Sequence, residues 1–312
     1  MNAILFPGQG SQTIGMGSEF FKNFSIVKQI FEEADNKLGY KISKIILEGP
    51  EDKIKLTQNT QPAILTVSYS IFSVLKNEFN FDFKQTKYFA GHSLGEYSAL
   101  VCSESLKFDD ALYLLYERGK SMQEAVPLGR GGMIAILGST ITEIENFLKD
   151  VPDKGVCEIA NDNAVGQIIV SGDINSINSL QLILKENKKK YIPLNVSAPF
   201  HCSLMKPAAE KMRDKIGSTS FKTPLFSIVN NVTSEPESNP NELKKLLIEQ
   251  ICSAVRWRES IININKENIV NFIEIGPGKV LSGMAKRTLK NINCFSINSI
   301  DDMKNLVNEL KK

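Results

Sequence analysis

Histidine is nearly missing from this sequence: its 312 residues include two, His92 and His201. Any reaction that needs an imidazole must draw on one of them. The five cysteines, Cys102, Cys157, Cys202, Cys252 and Cys294, are scattered, with no CxxC pair. That spacing offers neither a zinc site nor a disulfide framework, so no metal is expected. Free thiols fit a reducing compartment. A charge excess is also missing. Lys and Arg number 37 against 35 Asp and Glu, a net charge of +2, which argues against wholesale nucleic-acid or membrane binding. Long apolar runs are absent. Ile64 to Leu75 is short and is broken by Thr66, Ser68, Ser70 and Ser73, unlike a membrane span. Met1 to Phe6 meets Pro7-Gly8 too early for a secretory signal. The expectation is a soluble, cytoplasmic chain. Apolar residues make up 42%, enough for a sizeable core.

Short apolar runs alternate with helical periodicity, which predicts an α/β fold with a parallel sheet. Ala3 to Phe6 reads as a buried strand ending in Pro7-Gly8-Gln9-Gly10. Phe20, Phe24, Val27, Phe31, Ala34 and Leu38 recur at helical spacing until Gly39 stops them. Pro62 is expected to open a second helix. Lys87 to Ala90 reads as a strand, followed by a helix from Leu94 to Ser103. Asp109 is expected to cap the next helix.

The texture changes near Gly129-Arg130-Gly131-Gly132. Strands over 133–137, 156–160, 167–171 and 191–196, with helices over 142–148 and 177–186, give the order βαββαβ. That is a ferredoxin-like arrangement of about 70 residues. Residues 129–197 therefore read as an inserted small domain, and 1–128 with 198–312 as the main domain. The main domain resumes with a helix over 205–216, a strand over 225–230, a helix over 241–251 and a strand over 270–275.

Gly91-His92-Ser93-Leu94-Gly95 is a GxSxG elbow between a strand and a helix. A serine hydroxyl is a poor nucleophile without a base in hydrogen-bond reach. The elbow lifts the Ser93 oxygen clear of the sheet edge. It also starts a helix behind the serine, so the N–H of Leu94 is a candidate oxyanion donor. His92 shares the tight turn, where successive side chains diverge. Elimination therefore leaves His201 as the general base. It lies in Ala198-Pro199-Phe200-His201-Cys202, where the chain returns from the small domain and forms a natural cleft wall.

Serine before histidine in the chain suits a hydrolase-like main domain. Spacing does not single out an acidic third member. Asp109, Asp150, Asp153, Asp162 and Asp173 lie between the two, and a backbone or amide carbonyl is the alternative. The turn at Gln9 is not a P-loop, because no GKS or GKT follows. Its backbone is a candidate second oxyanion donor. Arg118 reads, by residue type alone, as a surface arginine. On these residues a serine hydrolase and a non-catalytic scaffold both stay open.

Several segments together carry more. They are Phe6-Pro7-Gly8-Gln9-Gly10-Ser11-Gln12, Gly91 to Tyr97, Arg118, Asn161-Asp162-Asn163 with Gln167 to Gly172, Phe200-His201, Gln250 with Val255-Arg256-Trp257, and Glu274-Ile275-Gly276-Pro277-Gly278. In order and over nearly the whole chain, they resemble the malonyl-CoA:acyl carrier protein transacylase family of fatty-acid synthesis. The resemblance implies a Ser93–His201 dyad and an oxyanion hole from the N–H groups of Gln9 and Leu94. It implies that a Gln250 carbonyl steadies His201 and that Arg118 grips the free malonyl carboxylate. His92, Asn161, Asn163 and Phe200 would line the substrate cleft, Phe200 resembling malonyl-selecting members.

The implied reaction is ping-pong transfer from coenzyme A to the phosphopantetheine thiol of acyl carrier protein. No cofactor is implied beyond the coenzyme A thioester as substrate and the phosphopantetheine carried by the partner. The implied partners are malonyl-CoA and acyl carrier protein, with no nucleic acid or membrane, and the chain is expected to be a monomer. An acidic carrier suits a basic face, for which Lys188, Lys189, Lys190, Lys286, Arg287 and Lys290 are candidates.

Overall fold

A computed structural model describes residues 1–152, 155–196 and 198–310. Asp153, among the carboxylates considered above, and residue 197, the expected domain boundary, lie outside the described residues.

The strands are β1 (Asn2–Phe6), β2 (Thr86–Gly91), β3 (Gly131–Leu137), β4 (Cys157–Ala164), β5 (Gln167–Asp173), β6 (Lys190–Pro193), β7 (Ser227–Val229), β8 (Pro236–Glu237), β9 (Asn271–Ile275) and β10 (Asn293–Ile297). They form two sheets. The first has the order β10-β9-β1-β2-β7-β8, parallel except for β8 at one edge. The second has the order β4-β5-β3-β6 and is antiparallel throughout. The helices are α1 (Ser18–Asn23), α2 (Ser25–Leu38), α3 (Ile42–Glu48), α4 (Glu51–Lys55), α5 (Thr57–Asn77), α6 (Gly95–Cys102), α7 (Phe108–Glu124), α8 (Ile141–Lys149), α9 (Ile174–Glu186), α10 (Lys206–Ser218), α11 (Pro240–Gln250), α12 (Trp257–Lys266), α13 (Val280–Thr288) and α14 (Ile300–Leu310).

The parallel sheet is buried on both faces, which is why β1 is apolar from Ala3 to Phe6. Ile4 and Phe6 join the core formed with α5, α6 and α7, whereas Ala3 and Leu5 join the core formed with α12 and α13. The second sheet alternates in the same way. Ile134 and Ile136 pack against α8 and α9, and Met133 and Ala135 turn to the larger core. Its apolar underside therefore faces the larger core and the cleft. Among the described residues, no helix is long and apolar enough to cross a membrane.

Several expected boundaries move. The helix expected from Phe20 to Leu38 is two helices, because Phe24 is extended at φ −125° and ψ 126°. Helix α5 starts at Thr57, ahead of Pro62, because Thr57, Asn59, Thr60 and Gln61 are buried in the core and hold an earlier turn. Asp109 does not cap α7. Lys107 is the cap residue, and Asp109 and Asp110 sit in the first turn, where acids suit the helix dipole. The expected strand to residue 196 ends at Pro193.

Candidate active site

Strands β1 and β2 are neighbours, with Phe6 beside Gly91, so their two C-terminal turns meet. That edge of a parallel sheet is where α/β folds bind ligands. Glycine makes the meeting possible. A Cβ on Gly95 would lie 2.3 Å from the Phe6 carbonyl oxygen, and one on Gly91 would lie 1.9 Å from the Gly95 backbone. A Cβ on Gly8 would lie 2.5 Å from the His92 carbonyl oxygen. The GxSxG pattern is thus a packing requirement as well as a turn.

Ser93 has a left-handed backbone at φ 53°, and so does His201 at φ 57°. Such strain persists only where the surroundings hold it. Ser93 Oγ lies 2.7 Å from His201 Nε2. On the other side of the ring, Nδ1 lies 2.9 Å from the backbone carbonyl of Gln250. A carbonyl only accepts, so Nδ1 carries the proton and Nε2 is left to accept the serine proton. Burial first, and the Arg118 charge second, push His201 down to about 3. The imidazole is therefore neutral at working pH.

The carboxylates considered as a third member go elsewhere. Asp162 pairs with Arg258 at 2.7 Å, Asp173 caps α9, and Asp150 ends α8.

Arg118 is 1% exposed, which corrects the surface reading. It reaches the site because Gly119 lets α7 touch α5, where a Cβ would lie 2.6 Å from the Thr57 carbonyl oxygen. Its Nη1 donates to Gln61 Oε1 at 2.8 Å, and its Nη2 donates to Gln250 Oε1 at 2.9 Å and Ser93 Oγ at 3.1 Å. All three acceptors are neutral. Nε is buried with no partner among the described residues. A buried guanidinium with no carboxylate in direct contact carries a large desolvation cost, and an incoming anion that touches it relieves that cost.

These groups line a cleft of about 380 Å³ that includes Gln9, His92, Ser93, Arg118, Asn161, Asn163, Phe200 and His201. Met133, Ile169 and Leu194 of the second sheet region cover it. Among the described residues, no hydrogen bond engages the N–H of Gln9 or of Leu94. His92 Nε2 lies 2.8 Å from Asn163 Oδ1 and so ties the elbow to β4.

The profile described as acyl transferase domain matches residues 4–310. The malonyl CoA-acyl carrier protein transacylase of Bacillus subtilis (strain 168) is 41% identical over 99% of this chain and 97% of its own. A crystal structure of an acyl-carrier-protein-S-malonyltransferase from Bartonella henselae is 38% identical, with a TM-score of 0.96 over 100% of this chain and 99% of that one. The chain belongs to the malonyl-CoA:acyl carrier protein transacylase family. A further structure at TM-score 0.95 and 36% identity, covering 99% of each chain, is a malonyl-transacylase in complex with a holo type II PKS acyl-carrier protein.

Three residues of this family member's site escaped the sequence reading. Asn231 accepts from Ser93 N at 2.7 Å and donates to the Gly91 carbonyl at 2.8 Å, so it braces the elbow from both ends. Gln61 holds Arg118. Glu96 accepts from Gln250 Nε2 at 2.8 Å and from Asn231 N at 3.1 Å. Only Glu96 carried a usable signal: it is a lone acid in an otherwise uncharged helix that is buried all round.

Proposed function

We propose that this chain transfers a malonyl group from malonyl-CoA to the phosphopantetheine thiol of acyl carrier protein through an ester on Ser93. The single observation that carries the reading is Arg118, buried without a carboxylate partner and 3.1 Å from the serine oxygen. A hydrolase of simple acyl groups has no use for a cation there. A dicarboxylic acyl group supplies an anion in direct contact with the guanidinium, and arginine holds carboxylates through paired hydrogen bonds.

The steps follow from the hydrogen bonds. Ser93 Oγ attacks the thioester carbonyl carbon as His201 Nε2 takes its proton. The new oxyanion accepts from the N–H groups of Gln9 and Leu94. Collapse breaks the C–S bond, and coenzyme A leaves as its thiol with the proton held on His201. The carrier thiol then repeats the sequence in reverse. The Gln250 carbonyl does the orienting that an acid does in a triad, and a thiolate leaving group makes that sufficient. Binding of the malonyl carboxylate neutralises Arg118, which removes the second cause holding His201 low. Every step is carried by this chain's own side chains and backbone.

The fold supports the same reading. The parallel sheet of 1–128 and 198–312 serves as a hydrolase-like catalytic domain. The βαββαβ unit of 129–197 is a ferredoxin-like lid whose apolar underside keeps water from the ester. The bench test is radiolabel transfer from malonyl-, methylmalonyl- and acetyl-CoA to holo carrier protein, with water as control. Label reaching the carrier from malonyl-CoA alone supports the reading, and release mainly to water identifies a thioesterase instead.

A further inference from the structure

One acid in the site has no part in these steps. Glu96 is fully buried in the first turn of α6. Its Oε2 takes both hydrogen bonds, from Gln250 Nε2 and Asn231 N. Its Oε1 is buried with no partner among the described residues. The Gln250 amide stands between this carboxyl and the Arg118 guanidinium, its Nε2 on one and its Oε1 on the other. A buried cation and a buried acid are thus joined through one neutral amide, with no direct contact.

We infer that Glu96 is a positioning residue that supplies the counter-charge of Arg118 in the empty cleft and takes up a proton when an acyl carboxylate binds Arg118. The inference rests on the carboxylate reading of Arg118 given above. Two anions cannot both be balanced by one buried guanidinium in a low-dielectric site. The arriving carboxylate makes direct hydrogen bonds, so Glu96 is the one that yields. Solvent supplies the proton, and Oε1 receives it, so both bonds to Oε2 survive and Gln250 stays in place. Burial already pushes Glu96 up to about 7, with Arg118 acting in the opposite sense. The other titratable groups around it are neutral: Tyr97 on the same helix is pushed up to about 12 and His201 down to about 3, each mainly by burial.

The test is calorimetry on Ser93→Ala, which binds without reacting, in buffers of different ionisation heat near pH 8. Malonyl-CoA is expected to bind with net uptake of a fraction of a proton. Acetyl-CoA, which shares the coenzyme phosphates and lacks the carboxylate, is expected to take up none. The double variant with Glu96→Gln keeps an acceptor for Gln250 and is expected to lose the uptake. Linkage gives an independent readout: malonyl-over-acetyl preference falls as pH rises through the Glu96 ionisation, and is flat with Glu96→Gln. Equal heats in all buffers with malonyl preference intact overturn this inference alone. Loss of malonyl preference in Ser93→Ala itself overturns the carboxylate reading and this inference with it. Uptake that persists in Glu96→Gln assigns the proton to another group and overturns it too.

Discussion

The floor and the roof of the cleft are built differently. The floor is a buried polar lattice. Ser93, His201, Gln250, Arg118, Asn231, Glu96 and Gln61 are joined in one hydrogen-bonded network, each at most 9% exposed. The roof is mostly apolar, with Met133, Ile169 and Leu194 over the cleft and Asn161, Asn163 and Asn195 as its polar points. Polar ties between the two run mostly around the cleft: His92 to Asn163, the Asn161–Val255 bridge, Arg258 to Asp162, Ser171 to the Phe200 carbonyl, Ser203 to Glu158 and Arg287 to Gln167. A lattice of buried polar groups is rigid, and each member depends on the rest. Apolar cover tolerates change far better. The division assigns chemistry to the floor and water exclusion to the roof.

Breaking the floor is expected to cost most. His201→Ala removes the base, and single-turnover acylation by malonyl-CoA is expected to slow by about 10²–10⁴-fold. An unchanged rate would mean that another group takes the proton. Arg118→Ala comes next. Removing one partner of a buried charge pair costs about 2–5 kcal/mol, so malonyl-over-acetyl selectivity is expected to fall by about 30-fold to several thousand-fold. Equal selectivity in parent and variant would remove the clamp.

Changing the roof is expected to do less. Met133→Ala opens the cover without touching the lattice, so transfer to carrier persists while release of the acyl group to water rises several-fold. A loss as large as that of His201→Ala would erase the distinction between the two surfaces. The smallest effect is with acidity. The His201 imidazole is pushed down to about 3 in the empty cleft by burial and then by Arg118, and burial, the larger cause, persists when malonyl neutralises Arg118. Acylation at saturating malonyl-CoA is therefore expected to stay level as pH falls through the ordinary histidine range near 6.5. A fall there would mean that His201 titrates as an exposed histidine.

The same contrast marks what was legible in the sequence. The elbow, its flanking strand and helix, and His201 were readable because a sharp turn and a scarce residue both leave local traces. The order βαββαβ was readable from alternation. Asn231 was not: it meets Ser93 across 138 positions from a turn with no motif of its own. Arg118 looked like a surface residue because its burial depends on Gly119 closing α7 onto α5, a tertiary fact. Pro62 misled because packing of the preceding turn outweighed its preference for a helix start. Local chemistry is written locally, while the lattice that supports it is assembled from distant parts of the chain.

The central claim is a malonyl ester on Ser93 that a carrier thiol discharges. Intact-protein mass spectrometry after mixing with malonyl-CoA tests it directly, with peptide mapping of the adduct. The expected result is one malonyl group on Ser93 of the parent, lost on adding holo carrier protein, and none on Ser93→Ala. An adduct that persists on Ser93→Ala, or that maps to another residue, would contradict the account.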